Sequence, residues 1–233
     1  MIVYGRNVAK SFLKNKKFVK KIYLQDGFSD KNIISLIEKR KIEIEYLPKN
    51  KIDDLCSGLH QGILLDVSDY QYMDLSSFIK NEEDKVVILD HIEDPHNLGA
   101  IIRTCEAAGI KSIIIPKDRQ VQVNATVIKT SVGTVNNINI VQVTNLVNSI
   151  NILKENGYWI VGTALTDNSL DYRNIDYRGK IAIIIGNEGM GISKLVMKKC
   201  DFIAKIPMYG KTNSLNASVA AGIMIYEMIR NRK

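Results

Sequence analysis

The chain has 233 residues, 45% hydrophobic and 24% charged, which allows one large domain or two small ones. Its apolar runs, such as Ile181 to Ile185, are far shorter than the roughly 20 residues of a bilayer-spanning helix. No extended apolar stretch precedes a cleavage site near the N-terminus, so neither membrane insertion nor a signal peptide is expected. Cys56, Cys105 and Cys200 are odd in number and widely spaced. They predict neither a disulfide framework nor a zinc site, and they fit a reducing cytoplasm, each as a small buried apolar residue.

The net charge of +7 is unevenly placed. Residues 1–51 hold 13 Lys/Arg against 5 Asp/Glu, a balance of +8, and the rest hold 19 against 20. Clustered cations attract a phosphate backbone by releasing its counterions. A solvated lysine-rich face is the plainer alternative.

In chain order, Gly5-Arg6-Asn7 opens a helix through about Lys14, and Lys21 to Leu24 reads as a strand. Asp30 caps a helix near Asn32 to Arg40 with Ile33, Leu36 and Ile37 on one face. Ile42, Ile44 and Tyr46 alternate with charges as in a half-exposed strand. A short helix near Ile52 to Cys56 follows, and then a strand over Gly62 to Leu65, just after His60-Gln61. The result is a small α/β domain over 1–68 and a polar linker over 69–85 with at most a helical turn.

From Val86 the strands become continuous apolar runs, as in strands buried on both faces. They are Val86–Leu89, Ser112–Ile115, Ile138–Val143, Trp159–Val161, Ile181–Ile185 and Phe202–Ile206. Helical patterns lie between most of them, so 86–233 predicts a mostly parallel sheet covered on both faces.

Three blocks concentrate the chemistry. In the first, Pro95 to Arg103, Asn97 reads as an N-cap ahead of the stripe Leu98, Ile101, Ile102, Cys105 and Ala108, with Gly109 ending the helix. Arg103 reaches back past Gly99, so that Asn97, Arg103 and the helix-start N–H groups could hold a phosphate. A surface arginine beside a capping asparagine is the other reading. The second block, Gly186-Asn187-Glu188-Gly189-Met190-Gly191, is spaced G-x-x-G-x-G, the reverse of a dinucleotide fingerprint. It lets backbone approach a ligand and sets Glu188 on the turn; without a ligand it is simply a tight strand-to-helix loop. The third block runs from Ile206-Pro207 to Ser214-Leu215-Asn216, ahead of a long helix that Ser214 and Asn216 could cap. Gly210-Lys211-Thr212 mimics the end of a P-loop, but Lys205 stands where its first glycine must be. His91 and His96 flank Pro95 without a third ligand, so no metal is expected.

These blocks resemble the three signature motifs of the SpoU/TrmH family of RNA ribose methyltransferases, within the SPOUT superfamily. The stretches PKDRQVQVNATVIKTSVG, YWIVGT, YGRNVAKSFL and HQG extend the likeness over nearly the whole chain. It is nearest to bacterial enzymes that methylate the 2′-oxygen of a 23S rRNA guanosine and carry an N-terminal substrate-binding domain. The resemblance implies a trefoil-knotted C-terminal SPOUT domain, bound S-adenosylmethionine, and a homodimer with its active site near the subunit interface. It implies an N-terminal domain like the RNA-binding modules of ribosomal proteins. It assigns catalysis to Asn97, Arg103, Glu188, Ser214 and Asn216. It assigns cofactor binding to Gly186, Ile206 and Leu215, largely through backbone, with Asn187 and Thr163. A tRNA target and a non-catalytic RNA-binding assembly factor stay open beside it. A nicotinamide enzyme is disfavoured by the glycine spacing.

Overall fold

A computed structural model describes residues 1–15, 19–56 and 58–231, and the chain divides into two compact units. The first unit holds Met1–Gln71 and Val123–Asn137, and the second holds Tyr72–Gln122 and Ile138–Lys233.

The first unit opens with β1 (Ile2–Tyr4), α1 (Arg6–Lys14), β2 (Val19–Gln25) and α2 (Lys31–Glu38). It continues with β3 (Glu43–Leu47), α3 (Lys49–Leu55) and β4 (Ile63–Val67), and its sheet runs β1-β4-β2-β3. Asp30 caps α2 as expected, accepting from the N–H groups of Asn32 and Ile33. β1 escapes the sequence reading because three residues are too few to show a period. It pairs antiparallel with β4, an interior strand, where Ile63, Leu64 and Leu65 are fully buried.

The stretch expected as a linker ends in α4 (Leu75–Lys80), capped by Asp74 and anchored by Phe78, which is fully buried in the core of the second unit. There follow β5 (Lys85–Asp90), α5 (Pro95–Ala107) and β6 (Ser112–Pro116). The chain then leaves this unit. α6 (Ala125–Thr130) and the turn of 3-10 helix after it belong to the first, where Ser11 Oγ donates to Gly133 O at 2.7 Å. Back in the second unit come β7 (Asn139–Val143), α7 (Leu146–Glu155), β8 (Trp159–Thr163), β9 (Leu170–Asp171) and β10 (Ile181–Gly186). α8 (Lys194–Met197), β11 (Phe202–Lys205) and α9 (Ala217–Met228) complete it.

The strand order is β7-β6-β5-β10-β8-β11-β9, and every pairing is parallel. The expected parallel sheet is present, with β9 as an additional edge. β5, β6 and nearly all of β10 are buried residue by residue. Alternate residues such as Val86, Ile88, Ala182 and Ile184 join Phe78, Leu146, Ile150 and Leu153 in one core. α9 packs on β10 and against α5.

Cys105 is buried, whereas Cys56 and Cys200 are only partly so, which corrects the expectation of three buried cysteines. Burial pushes the Cys105 thiol up, and it pushes that of Cys200 up to about 12, so neither is a ready nucleophile. No helix among the described residues is long and apolar enough to cross a membrane.

Truncating Ile184, fully buried in the centre of the large sheet, removes packing on both neighbouring strands. Ile184→Ala should cost about 2–5 kcal/mol of stability, read as a lowered urea midpoint at unchanged slope.

Candidate active site

In an open α/β sheet, ligands collect beyond the carboxyl ends of the strands, where the winding direction reverses. Here β10 is inserted between β5 and β8, and the loops after β8, β10 and β11 surround a cavity of about 410 Å³. Thr163, Gly186, Asn187, Glu188, Ile206 and Leu215 are among its lining residues, and Ser214 lies at its edge, exposed.

The wall formed by Gly186–Gly191 is closed on itself. Asn187 and Gly191 exchange backbone hydrogen bonds at 3.1 and 2.8 Å. A Cβ on Gly186 would stand 2.2 Å from Gly191 C and 2.3 Å from Ile192 N, so only glycine fits. The Asn187 amide is tied into the protein at both ends: its Oδ1 accepts from Gly189 N and Met190 N, and its Nδ2 donates to His91 O at 2.9 Å. Thr163 Oγ1 donates to Ile184 O at 2.8 Å. Both side chains therefore brace the cavity wall.

Asn97 corrects the sequence reading. It is not an N-cap: Asp94 caps α5 by accepting from His96 N at 2.8 Å, and Pro95 takes the first helical position, where its missing N–H costs nothing. Asn97 lies inside the helix, 6% exposed, and its amide is held at both ends. Its Nδ2 donates to Glu188 Oε1, and its Oδ1 accepts from Asn216 Nδ2 at 2.9 Å. Asn216 also caps α9, accepting from Ser218 N at 2.9 Å and Val219 N at 3.3 Å, so it combines the expected cap with a place in the site. Three residues from three blocks thus form one chain, Glu188–Asn97–Asn216.

Arg103 stands outside this chain. Six residues beyond Asn97 it is about 120° around α5 and about 9 Å further along. It is exposed and does not line the cavity. The anion cradle of Asn97, Arg103 and helix-start N–H groups does not form, because Asn97 is engaged and Asp94 occupies the cap.

Sequence reasoning missed Asp90 and gave His91 no part in the site. Asp90, 1% exposed at the end of β5, accepts from Ser193 N at 2.7 Å and pairs with His91 Nδ1 at 2.5 Å. His91 sits at φ 64, a left-handed conformation rare outside glycine. Together they tie both ends of the glycine-rich loop to β5. A carboxylate ending a fully apolar strand was the available signal.

An all-parallel sheet with a preorganised cavity beyond its carboxyl ends, fringed by convergent polar side chains, defines an α/β enzyme. The chain belongs to the SpoU rRNA Methylase family, whose model matches residues 84–226. A second model, for RNA 2′-O ribose methyltransferase substrate binding, matches residues 2–73. A relative in Staphylococcus haemolyticus, named for the TrmH family of tRNA/rRNA methyltransferases, is 43% identical over 100% of this chain and 96% of its own length. An AdoMet-bound rRNA methyltransferase from Sinorhizobium meliloti is similar at TM-score 0.86 and 26% identity, covering 100% of this chain and 87% of that one. A TrmH/SpoU tRNA modifying enzyme from A. aeolicus is 32% identical at TM-score 0.60, over 68% of this chain and 84% of that one. The RNA methyltransferase family, the α/β fold and the RNA class of substrate expected from the motifs stand.

Gly186→Ala would drive a methyl group into backbone, which cannot yield as a side chain does. The expected outcome is a melting temperature lower by several degrees and faster proteolysis of the 187–193 loop. An unchanged melt and cleavage pattern would contradict the close approach.

Proposed function

We propose that this protein transfers a methyl group from S-adenosylmethionine to a ribose 2′-hydroxyl of RNA, with a guanosine of 23S rRNA as the target. The observation that carries the reading is the Glu188–Asn97–Asn216 chain, whose Glu188 end lines the glycine-walled cavity. The cavity suits the cofactor. Its volume lies in the range for small-molecule sites, and its lining joins apolar Ile206, Met208 and Leu215 to the backbone of Gly186–Gly191. Gly186, Ile206 and Leu215 hold the cofactor, with Asn187 and Thr163 fixing the walls. When bound, S-adenosylmethionine supplies an activated methyl on a positively charged sulfur.

The protein's own work is orientation and charge stabilisation. Glu188 accepts from Asn97 and is thereby fixed on its turn. Asn97 is in turn fixed by Asn216, which the helix start holds. Ser214 presents a hydroxyl at the rim. Arg103 clamps a substrate phosphate and stabilises the negative charge that develops at the 2′-oxygen as its proton passes to solvent water. A guanidinium does not give up its proton in a protein, so a clamp is preferred to a base. Because Arg103 faces solvent away from the cavity, this role fits an active site completed at a subunit interface.

A homodimer supports that arrangement. α9 is apolar nearly all round, yet Val219 and Tyr226, seven residues and two turns apart, are about half exposed. Such a stripe is the kind of face a second copy covers. The family's trefoil knot belongs to the same reading. Ribosomal RNA is preferred to tRNA as substrate because the similarity to the rRNA enzyme spans both units, whereas that to the tRNA enzyme spans 68% of the chain. The intact polar chain argues against a scaffold that has lost catalysis.

Purified protein incubated with methyl-labelled S-adenosylmethionine should label 23S rRNA at a 2′-oxygen, and a deletion strain should lack that mark. Arg103→Ala should lower turnover by at least about 100-fold while leaving cofactor affinity unchanged. Full activity in Arg103→Lys would exclude a bidentate clamp. Failure to bind S-adenosylmethionine in calorimetry would favour the scaffold.

A further inference from the structure

The first unit carries a cleft of its own, about 310 Å³ in volume, beyond the end of β2 and at the start of α1. Arg6, Phe28, Lys49, Leu59 and Gln61 line it. The Arg6 guanidinium lies over the Phe28 ring, 5.4 Å from its centroid. Gly62 makes room for that ring, since a Cβ there would stand 3.0 Å from Phe28 Cδ2. Leu59, 74% exposed, adds an apolar surface open to solvent.

The rim is rigid. Gln61 is held at φ 55, its Oε1 accepting from Arg6 N at 2.8 Å and its backbone carbonyl accepting from Arg6 Nε at 3.4 Å. His60, 7% exposed, accepts from Gly62 N at its Nδ1, so its Nε2 carries the proton donated to Asp53 at 2.8 Å. A buried histidine and a carboxylate thus fix a turn that presents the Gln61 amide at the cleft. Nothing in the methyl-transfer site uses this arrangement.

Its chemistry selects a ligand. A guanidinium over an aromatic ring gives a mixed cationic and aromatic surface, and unpaired nucleobases stack on aromatic rings and guanidinium planes. Gln61 keeps its amide N–H groups for a base edge, and Lys49 adds a cation for a phosphate. Arg6, Phe28 and Lys49 belong to the segment 1–51, whose charge balance is +8, and the whole lining falls within the residues matched by the substrate-binding model.

We propose that this cleft captures one unpaired nucleotide of the RNA substrate, with its base against Arg6 and Phe28, its edge at Gln61 and its phosphate at Lys49. The proposal rests on the RNA reading above and adds to it a specific place and a preference for unpaired over duplex RNA.

The test uses the full chain and isolated ribosomal RNA. Ultraviolet cross-linking of the unaltered protein should attach nucleotide to a peptide containing Phe28 or one containing Leu59–Gln61. Filter binding should show Phe28→Leu weakened roughly tenfold, the scale of one lost base stack. Lys49→Ala should lower the slope of log affinity against log salt by about one. Lys39→Ala, at the exposed end of α2 and outside the cleft, should retain affinity within about twofold. RNA binding by the unaltered chain with cross-links elsewhere, and with Phe28→Leu binding as tightly, would overturn the cleft and leave the RNA reading standing. No RNA binding by the unaltered chain would overturn both.

Discussion

Beyond β10 the backbone turns back so closely that the position of one Cβ is occupied by other main-chain atoms. That approach at Gly186 closes the loop through the Asn187–Gly191 pair and brings Glu188 to the start of α5. The rest of the site depends on it. A wider turn would separate Glu188 from Asn97, leaving a buried amide half satisfied, and polar groups buried without partners are costly. The cavity wall and the polar chain are therefore one construction, and Asp90 with His91 secures it from the neighbouring strand.

The two units divide the physical labour. The larger is built around strands buried on both faces, and its site residues stand on a turn and two helix starts at the ends of that sheet. The smaller carries most of the positive charge of the chain and a rim held by an Asp53–His60 pair. Long-range attraction to a polyanion requires only many cations, whereas an oriented polar chain requires atoms placed within tenths of an ångström. The first property survives scattered lysines on an exposed face. The second requires the buried partners found around Asn97.

Much of this was legible beforehand, and the reasons are specific. Continuous apolar runs announced the parallel sheet because strands covered on both faces have no polar side to show. Asp30 announced α2 because capping is a local event, completed within three residues. Local rules failed at Asn97. Asparagine before an apolar stripe reads as a cap, yet Asp94 with Pro95 makes the better start, and Asn97 turns to partners 91 and 119 residues away. β1 and β9, of three and two residues, are too short for any periodic signal and exist only through their neighbours.

By itself the sequence determined the class of fold, the uneven charge and the three blocks in which chemistry is concentrated, since each is written in residues adjacent along the chain. Tertiary structure alone decided which of those residues meet. It placed Asn97 between Glu188 and Asn216, left Arg103 on the outside of α5, and assigned Val123–Asn137 to the first unit. The physical reason is that a hydrogen bond or packing contact across a hundred residues depends on the path of the whole backbone, and no local pattern records that path.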